Sequence, residues 1–367
     1  MSVEEKVLIE GITDSIPSIR SPVGPVGKSD RHADDIPHEA EPRLRVLSVT
    51  NMYPTPKWPA FGTFVFNEVK SLRAAGVSVD VLVMNGRDSR WSYLRGLFHL
   101  WRALARRKYD VIHAHYVLTG AVARLQWGTP VVLTHHGCEV LGYPRWQTWL
   151  AKAINPVFDE VIYRSEEMRQ ALNDEDGWIL PAGIDLDRFR PTSRDAARAA
   201  LGLPLDRPLV LWAGEPWRPE KRFPLAAEAV ELVKLDLTDA ELVVLNKKPH
   251  DVVPLYMSAC DALVFTSVLE GSPNVVKEAM ACNLPVVSAR VGDVPEVIAG
   301  TDGCTLAERD PADIARKLVP VLRNPRRTDG RLQVQRFSHE QIAAGIARAY
   351  RRAASGANRA RARHADA

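Results

Sequence analysis

The chain has 367 residues, enough for two domains of ordinary size. With 46% hydrophobic and 25% charged residues it has the composition of a soluble globular protein, which excludes disordered and fibrous classes. A net charge of +3 gives no concentrated basic footprint, so no nucleic-acid partner is expected, and no secretory leader or membrane-spanning apolar run is read.

Residues 1–42 carry Pro, Ser, Asp and Glu without periodicity and read as a flexible extension. Arg45–Thr50 reads as a strand and Gly62–Ala75 as a helix, with Phe64, Val65, Val69 and Leu72 on one face. Val77–Met84 is the next strand. Trp91–Arg107 reads as a helix rich in Trp, Leu and Phe, with Arg95, Arg102, Arg106, Arg107 and Lys108 on it or just after it. Core packing accounts for its apolar stripe; the second reading is a basic amphipathic helix lying on an anionic bilayer, a peripheral membrane contact through Trp91–Lys108. Strands at Asp110–His115, Pro130–His135 and Glu160–Arg164 complete a doubly wound parallel sheet. His113 and His115 share one strand face. With no carboxylate at a suggestive spacing they do not read as metal ligands, and no metal or other cofactor is expected.

Pro181–Pro191, rich in Pro, Gly and Asp, reads as a linker. The alternation then restarts. Leu209–Ala213, Ala240–Asn246, Asp261–Ser267 and Pro285–Ala289 read as strands, with helices at Arg222–Leu235, Val253–Cys260 and Pro273–Cys282. The fold class is therefore α/β: two Rossmann-like doubly wound domains facing a central cleft, where open sheets of this kind bind ligands. The divisions are 43–183 for the first domain, 184–335 for the second, 336–353 for a last helix and 354–367 for a flexible tail. Cys138, Cys260, Cys282 and Cys304 form no C-x-x-C pair and read as free thiols of a reducing cytoplasm.

Thr266–Val287 holds the densest chemistry. Ser272 reads as an N-cap and Pro273 as the first helical residue, so a helix opens at the cleft. Its unpaired backbone N–H groups suit a diphosphate. Glu278, more than one turn inside, can accept hydrogen bonds from two adjacent hydroxyls such as those of a ribose. Glu270 precedes the helix and faces a sugar in this reading, and Gly271 lets the backbone approach closely.

The segment Glu270–Ile298, with Glu-x₇-Glu, Glu-Ala-Met-Ala-Cys-Asn-Leu-Pro-Val-Val and Val-Gly-Asp-Val-Pro-Glu-Val-Ile, closely resembles the retaining group 1 (family 4) glycosyltransferases of GT-B fold. The likeness extends over roughly 44–353 and includes Pro181-Ala-Gly-Ile-Asp-Leu-Asp-Arg-Phe-Arg-Pro191 and the last helix through Tyr350, which in that family crosses back to the first domain. It implies that Glu278 holds the ribose, that Glu270 contacts the donor sugar, and that Gly271, Ser272, Pro273 and Asn274 surround phosphate or sugar oxygens. Lys221 matches the family's phosphate-clamp lysine. Glu215 stands where the family carries arginine; Arg218 is either its replacement or a solvated loop residue. The stretch between Leu245 and Pro254 is shorter than the family's, which leaves base selection open.

In the first domain, Thr134-His-His-Gly-Cys-Glu139 resembles the family's His-Gly-x-(Asp/Glu) element, which points to His136 beside the reacting sugar, as a neutral hydrogen-bonding imidazole or as an imidazolium. Pro59-Ala-Phe-Gly-Thr-Phe-Val65 resembles the glycine loop before the family's first helix, which implies that Gly62 and Thr63 place backbone near the donor phosphates or the acceptor. The expected reaction is transfer of a sugar from a nucleoside diphosphate donor to a hydroxyl of a saccharide or lipid-linked acceptor, with retained configuration, in cell-surface polysaccharide or glycolipid assembly. The expected place is the cytoplasm, at the inner face of the membrane. The alternatives are a nucleotide-sugar epimerase of the same architecture and a non-catalytic sugar-nucleotide-binding module.

Overall fold

The computed structural model describes residues 44–55, 57, 58, 61–86, 91–142 and 144–365, apart from the side chains of 138 and 357–365. The extension expected over 1–42 lies outside them. The first domain runs β1 (Arg45–Thr50), α1 (Thr63–Ala74), β2 (Ser78–Val83), α2 (Ser92–Arg106), β3 (Val111–His115), α3 (Val117–Ala123), β4 (Val131–Thr134), α4 (Cys138–Leu141), α5 (Arg145–Ile154), β5 (Glu160–Tyr163), α6 (Glu166–Ala171) and β6 (Trp178–Ile179). The second runs α7 (Arg194–Leu201), β7 (Leu209–Ala213), α8 (Phe223–Val233), β8 (Glu241–Leu245), α9 (Val253–Ala259), β9 (Ala262–Phe265), α10 (Asn274–Ala281), β10 (Val286–Ala289), α11 (Val294–Ile298), β11 (Thr305–Ala307), α12 (Pro311–Arg323) and α13 (Gly330–Val334). A final helix, α14 (His339–Ala365), returns to the first domain.

The strands are short and β-branched because helices cover both faces of each sheet. The first sheet has the order β2-β1-β3-β4-β5-β6 and the second β11-β10-β9-β7-β8, with parallel neighbours throughout. Both sheets thus reverse their winding beside the first strand, between β1 and β3 and between β7 and β9. Loops leaving the carboxyl ends of these strands diverge and open a crevice.

On one face of the first sheet, Val65, Val69 and Leu72 of α1 and Ile346, Ala347 and Tyr350 of α14 pack with Val46, Val111, Val132 and Ile162. On the other face, Leu100 of α2, Val117 of α3 and Ala151 of α5 pack with Leu47, Val49, Ile112 and Leu133. In the second domain, α8 and α12 cover Val210, Trp212 and Val264. The linker pairs with the segment before α14: Ile184 N donates to Phe337 O at 2.9 Å and His339 N donates to Ile184 O at 3.1 Å. The chain's two crossings between domains therefore run side by side.

Two expectations are corrected here. The last helix continues past 353, where a tail was expected; residues 357–365 are mostly Ala and Arg, both strong helix formers. Core packing accounts for only part of the apolar stripe of α2: Tyr93, Leu97, Leu100 and Leu104 pack on the core, while Leu94, Phe98 and Trp101 are exposed. Its period is helical, but the apolar residues occupy two opposite sides.

Candidate active site

The turn after β7 is a short 3₁₀ segment, Pro219–Lys221, followed by Arg222 in the left-handed region at φ 53°. This turn aims Lys221 at the loop after β9, where its Nζ donates to Glu270 Oε1 at 2.5 Å. The two loops are stitched together. Thr266 Oγ1 donates to Lys221 O at 2.9 Å, Trp212 Nε1 donates to Thr266 Oγ1 at 3.1 Å, and Val268 N donates to Glu220 O at 2.9 Å. Arg218, by contrast, is held by acids of its own loop: Nε donates to Glu220 Oε1 at 2.7 Å and Glu215 Oε2 lies 4.0 Å from Nη1. Its side chain is nearly half exposed. The structure does not bring Arg218 to Glu270.

Helix α10 opens one residue later than the sequence suggests. Pro273 is the N-cap, with extended backbone at φ −69°, ψ 116°, and Ser272 caps nothing. Ser272 Oγ turns inward. It donates to Asp293 Oδ2 at 2.5 Å, accepts from Lys277 Nζ, and accepts from the linker amide of Ala182 at 3.2 Å. Lys277 is fully buried, its Nζ 3.5 Å from Asp293 Oδ2. Burial pulls the ammonium below its usual pKa and pushes the Asp293 carboxyl above its own, despite their mutual attraction. Ser272 therefore belongs to the support beneath the helix and ties it to the linker.

Glu278 sits in the cleft with His250 Nε2 3.7 Å from its Oε1. His250 Nδ1 accepts from Arg188 Nη1 at 2.6 Å, and its ring meets Phe189 edge-on at 5.6 Å. Glu278, His250 and Phe189, with Asn274 and with Thr63 and Phe64 at the start of α1, line one pocket between the domains. A groove of about 710 Å³ bordered by Thr63, Asp185, Arg188 and His250 lies alongside. Gly62 sets the entry to α1. It is left-handed at φ 76°, and a Cβ there would stand 2.2 Å from the carbonyl carbon of Met52.

His136 follows β4. Its backbone N–H donates to Glu139 Oε1 at 2.6 Å and that of Gly137 to Oε2 at 3.1 Å, so Glu139 fixes the loop. Its ring lies 5.0 Å from the Phe64 ring, and its Nε2 is 3.2 Å from His115 Nδ1. Behind it stands a buried cluster. Glu68 Oε1 is 3.8 Å from His115 Nε2 and 3.9 Å from His113 Nδ1, Arg164 Nη2 donates to Glu68 Oε2 at 2.5 Å, and Tyr350 of α14 bonds His113 Nδ1 at 2.7 Å. Burial is the largest influence on all three histidines, and Arg164 adds to it: His113 and His136 fall well below the usual range and His115 to about 3. This downward shift favours the neutral, hydrogen-bonding form of the His136 imidazole. His135 is a core residue, stacked on Tyr163 with Nε2 3.2 Å from Asn155 Oδ1.

Spacing alone suggested that no carboxylate joins His113 and His115. Glu68, 45 residues earlier on α1, does so, and these three bring one ligand atom each within 4.8 Å of the others. Arg164 already supplies the positive charge there.

The two halves of the site meet backbone to backbone. A Cβ on Gly271 would lie 2.7 Å from His136 O, and one on Gly292 would lie 2.6 Å from Gly271 O. Gly292 N also donates to Glu167 Oε2 at 3.2 Å. His136, Glu270, Gly271 and Lys221 thus form one group, and Asn274 and Glu278 a second beside it. Sequence reasoning passed over Glu68, Lys277 and His250. The first two had a signal, a charge set inside an apolar stripe: Glu68 among Val65, Val69 and Leu72, and Lys277 among Val276, Ala279 and Met280.

Residues 61–188 match the model described as Glycosyltransferase Family 4 and residues 225–324 that of Glycosyl transferases group 1. The Bacillus subtilis protein TuaC, assigned to teichuronic acid biosynthesis, is 27% identical over 68% of this chain and 82% of its own length. A D-inositol 3-phosphate glycosyltransferase of Frankia alni is 31% identical over 67% of this chain and 75% of its own. The chain belongs to the group 1, family 4 glycosyltransferases. The solved structure of the Anabaena protein HepE in complex with UDP and glucose superposes with a TM-score of 0.64 at 17% identity, covering 83% of this glycosyltransferase and 99% of HepE. The family 4 chain has the GT-B fold. Among the described residues, no helix is long and apolar enough to cross a membrane.

Proposed function

We propose that the enzyme transfers a sugar from a nucleoside diphosphate sugar to a hydroxyl with retention of configuration. The observation that carries this is the Lys221–Glu270 pair at the crevice of the second sheet, set against Gly271 and the neutral His136 of the other domain. In this reading Glu278 accepts from the two ribose hydroxyls. The amides of Gly271, Ser272 and Asn274 and the ammonium of Lys221 take the charge that grows on the leaving diphosphate, while Pro273, which has no N–H, sets the backbone between them. The anomeric C–O bond to phosphate breaks as the acceptor oxygen attacks from the same face, and the acceptor proton passes to the departing phosphate oxygen. Glu270 and His136 hold sugar hydroxyls and orient the acceptor; their contribution is position. Gly62 lets the backbone before α1 approach the donor. With Lys221 and the helix end supplying positive charge, no step is assigned to a metal.

Uridine diphosphate is the first nucleotide to test, since HepE holds it. TuaC supports a place in cell-surface polysaccharide or glycolipid assembly. A saccharide or lipid-linked acceptor, presented in the cytoplasm at the inner membrane face, belongs to the same reading.

The test is calorimetric titration with uridine, guanosine and adenosine diphosphates, then nucleotide release from the matching sugar donors with and without acceptor. Binding of one nucleotide, lost in Glu278→Ala, is expected. Absence of binding to all three would overturn the reading, and a new sugar epimer without nucleotide release would redirect it to epimerisation.

A further inference from the structure

The layer formed by α2, α3 and α5 carries an outward surface that sugar transfer does not use. Helix α2 has three stripes. Gly96 and Leu100 are buried against the sheet. Leu94, Phe98 and Trp101 lie opposite, 59%, 64% and 55% exposed. Arg95, Arg102 and Arg106 form an exposed third stripe beside them. Helix α5 repeats the pattern: Gln147 and Ala151 are buried, while Trp146 and Trp149 are 53% and 71% exposed. Trp127, just past α3, is 87% exposed, with the Arg124 guanidinium 5.9 Å from its ring.

Charge identifies the occupant. From Trp91 to Phe158 there are eight lysines and arginines, and the only acids are Asp110 and Glu139, of which Glu139 is buried. Arg107 and Arg124 are paired with Asp80 and Asp159 from outside that stretch, and among the described residues the Arg95, Arg102 and Arg106 stripe is not. Tryptophans with leucine and phenylalanine suit the boundary between headgroups and acyl chains, and a flanking arginine stripe without acids suits lipid phosphates. Both α2 and α5 begin at the carboxyl end of their sheet, the end that carries the crevice.

We propose that the outer surface of α2, α3 and α5 docks on an anionic phospholipid bilayer, so that an acceptor keeps its lipid tail in the membrane while its hydroxyl reaches the cleft. The acceptor clause rests on the proposed sugar transfer; the docking does not. The full chain is sedimented with vesicles of phosphatidylcholine alone and of phosphatidylcholine with an equal part of phosphatidylglycerol, and tryptophan emission is recorded in parallel. Binding with a blue-shifted emission is expected on the anionic vesicles only. The triple variant Arg95→Gln, Arg102→Gln, Arg106→Gln should bind about 100-fold more weakly. The variant Leu94→Ser, Phe98→Ser, Trp101→Ser should lose sedimentation, and Trp146→Ser, Trp149→Ser, on a separate helix, should weaken it. Unchanged nucleotide affinity and melting temperature in these variants separate docking from the donor site. No preference for anionic vesicles overturns the proposal. So does a dimer in sedimentation velocity that Leu94→Ser, Phe98→Ser, Trp101→Ser dissociates, since the face would then cover a second copy.

Discussion

Replacing His115 by Asn should flatten the loss of stability that acid brings to this protein. His115 is fully buried and held at about 3, with Arg164 adding to the effect of burial. The groups that face it are Glu68 on α1, His113 on its own strand, His136 after β4 and Arg164 after β5. An unfolded histidine titrates near 6.5, so below that pH the unfolded chain binds a proton that the folded chain refuses. The stability is intact above about pH 6.5 and drains away as pH falls toward the folded value, at about 1.4 kcal/mol per pH unit. Between pH 7 and pH 5 one such group costs about 2 kcal/mol. At roughly 2 °C per kcal/mol for a chain of this size, the melting temperature should fall by roughly 4 °C more in the wild type than in His115→Asn. Thermal unfolding followed by far-ultraviolet circular dichroism at pH 7, 6 and 5 gives both slopes. Burial is the largest cause of the downward shifts of His113 and His136 and is the same in both proteins, so the difference reports chiefly His115. Superimposable slopes would refute a neutral, buried His115.

Gly62→Ala should lose about 2 kcal/mol or more, since a left-handed alanine costs about 1–2 kcal/mol before any clash and the new Cβ meets the Met52 backbone at 2.2 Å; denaturant unfolding measures it. Lys277→Met strands Asp293 and should destabilise by about 3–5 kcal/mol, with much of the loss recovered in the double variant Lys277→Met, Asp293→Asn. Lys221→Ala should lower kcat for nucleotide release by about 10²–10³-fold; a wild-type kcat would remove Lys221 from charge stabilisation. Tyr350→Phe should cost about 1 kcal/mol by deleting the hydrogen bond to His113, read from the melting temperature, with nucleotide affinity unchanged.

Much of the architecture was legible because buried parallel strands advertise themselves. Arg45–Thr50 and Leu209–Ala213 have the bounds that the sequence reading gives them. The three-residue β11 and two-residue β6 were not legible, since so short a run has no period. Glu270 and Glu278 stand out from local pattern, one on the loop before α10 and one more than a turn inside it, whereas Lys221 is reached through the family resemblance. Glu68 and Arg164 could not be paired from sequence, because 96 residues separate them and only the sheet order brings them together. Ser272 shows the limit of capping rules. Its hydroxyl had a better partner in Asp293, a tertiary choice that local propensity does not contain. The α2 stripe shows a similar limit: periodicity locates an apolar side but not what covers it.

Helix α14 puts Ile346, Ala347 and Tyr350 into the core of a domain whose other residues were made about 200 positions earlier. On the ribosome, the first domain is begun first and completed last. Until α14 emerges, the side of the sheet bearing Val46, Val111 and Val132 lacks one of its two covering helices, and the second domain has by then been synthesised in full. The nascent chain therefore carries an apolar face through most of its translation. Expression that ends at the linker should yield an aggregating fragment rather than a soluble half-enzyme.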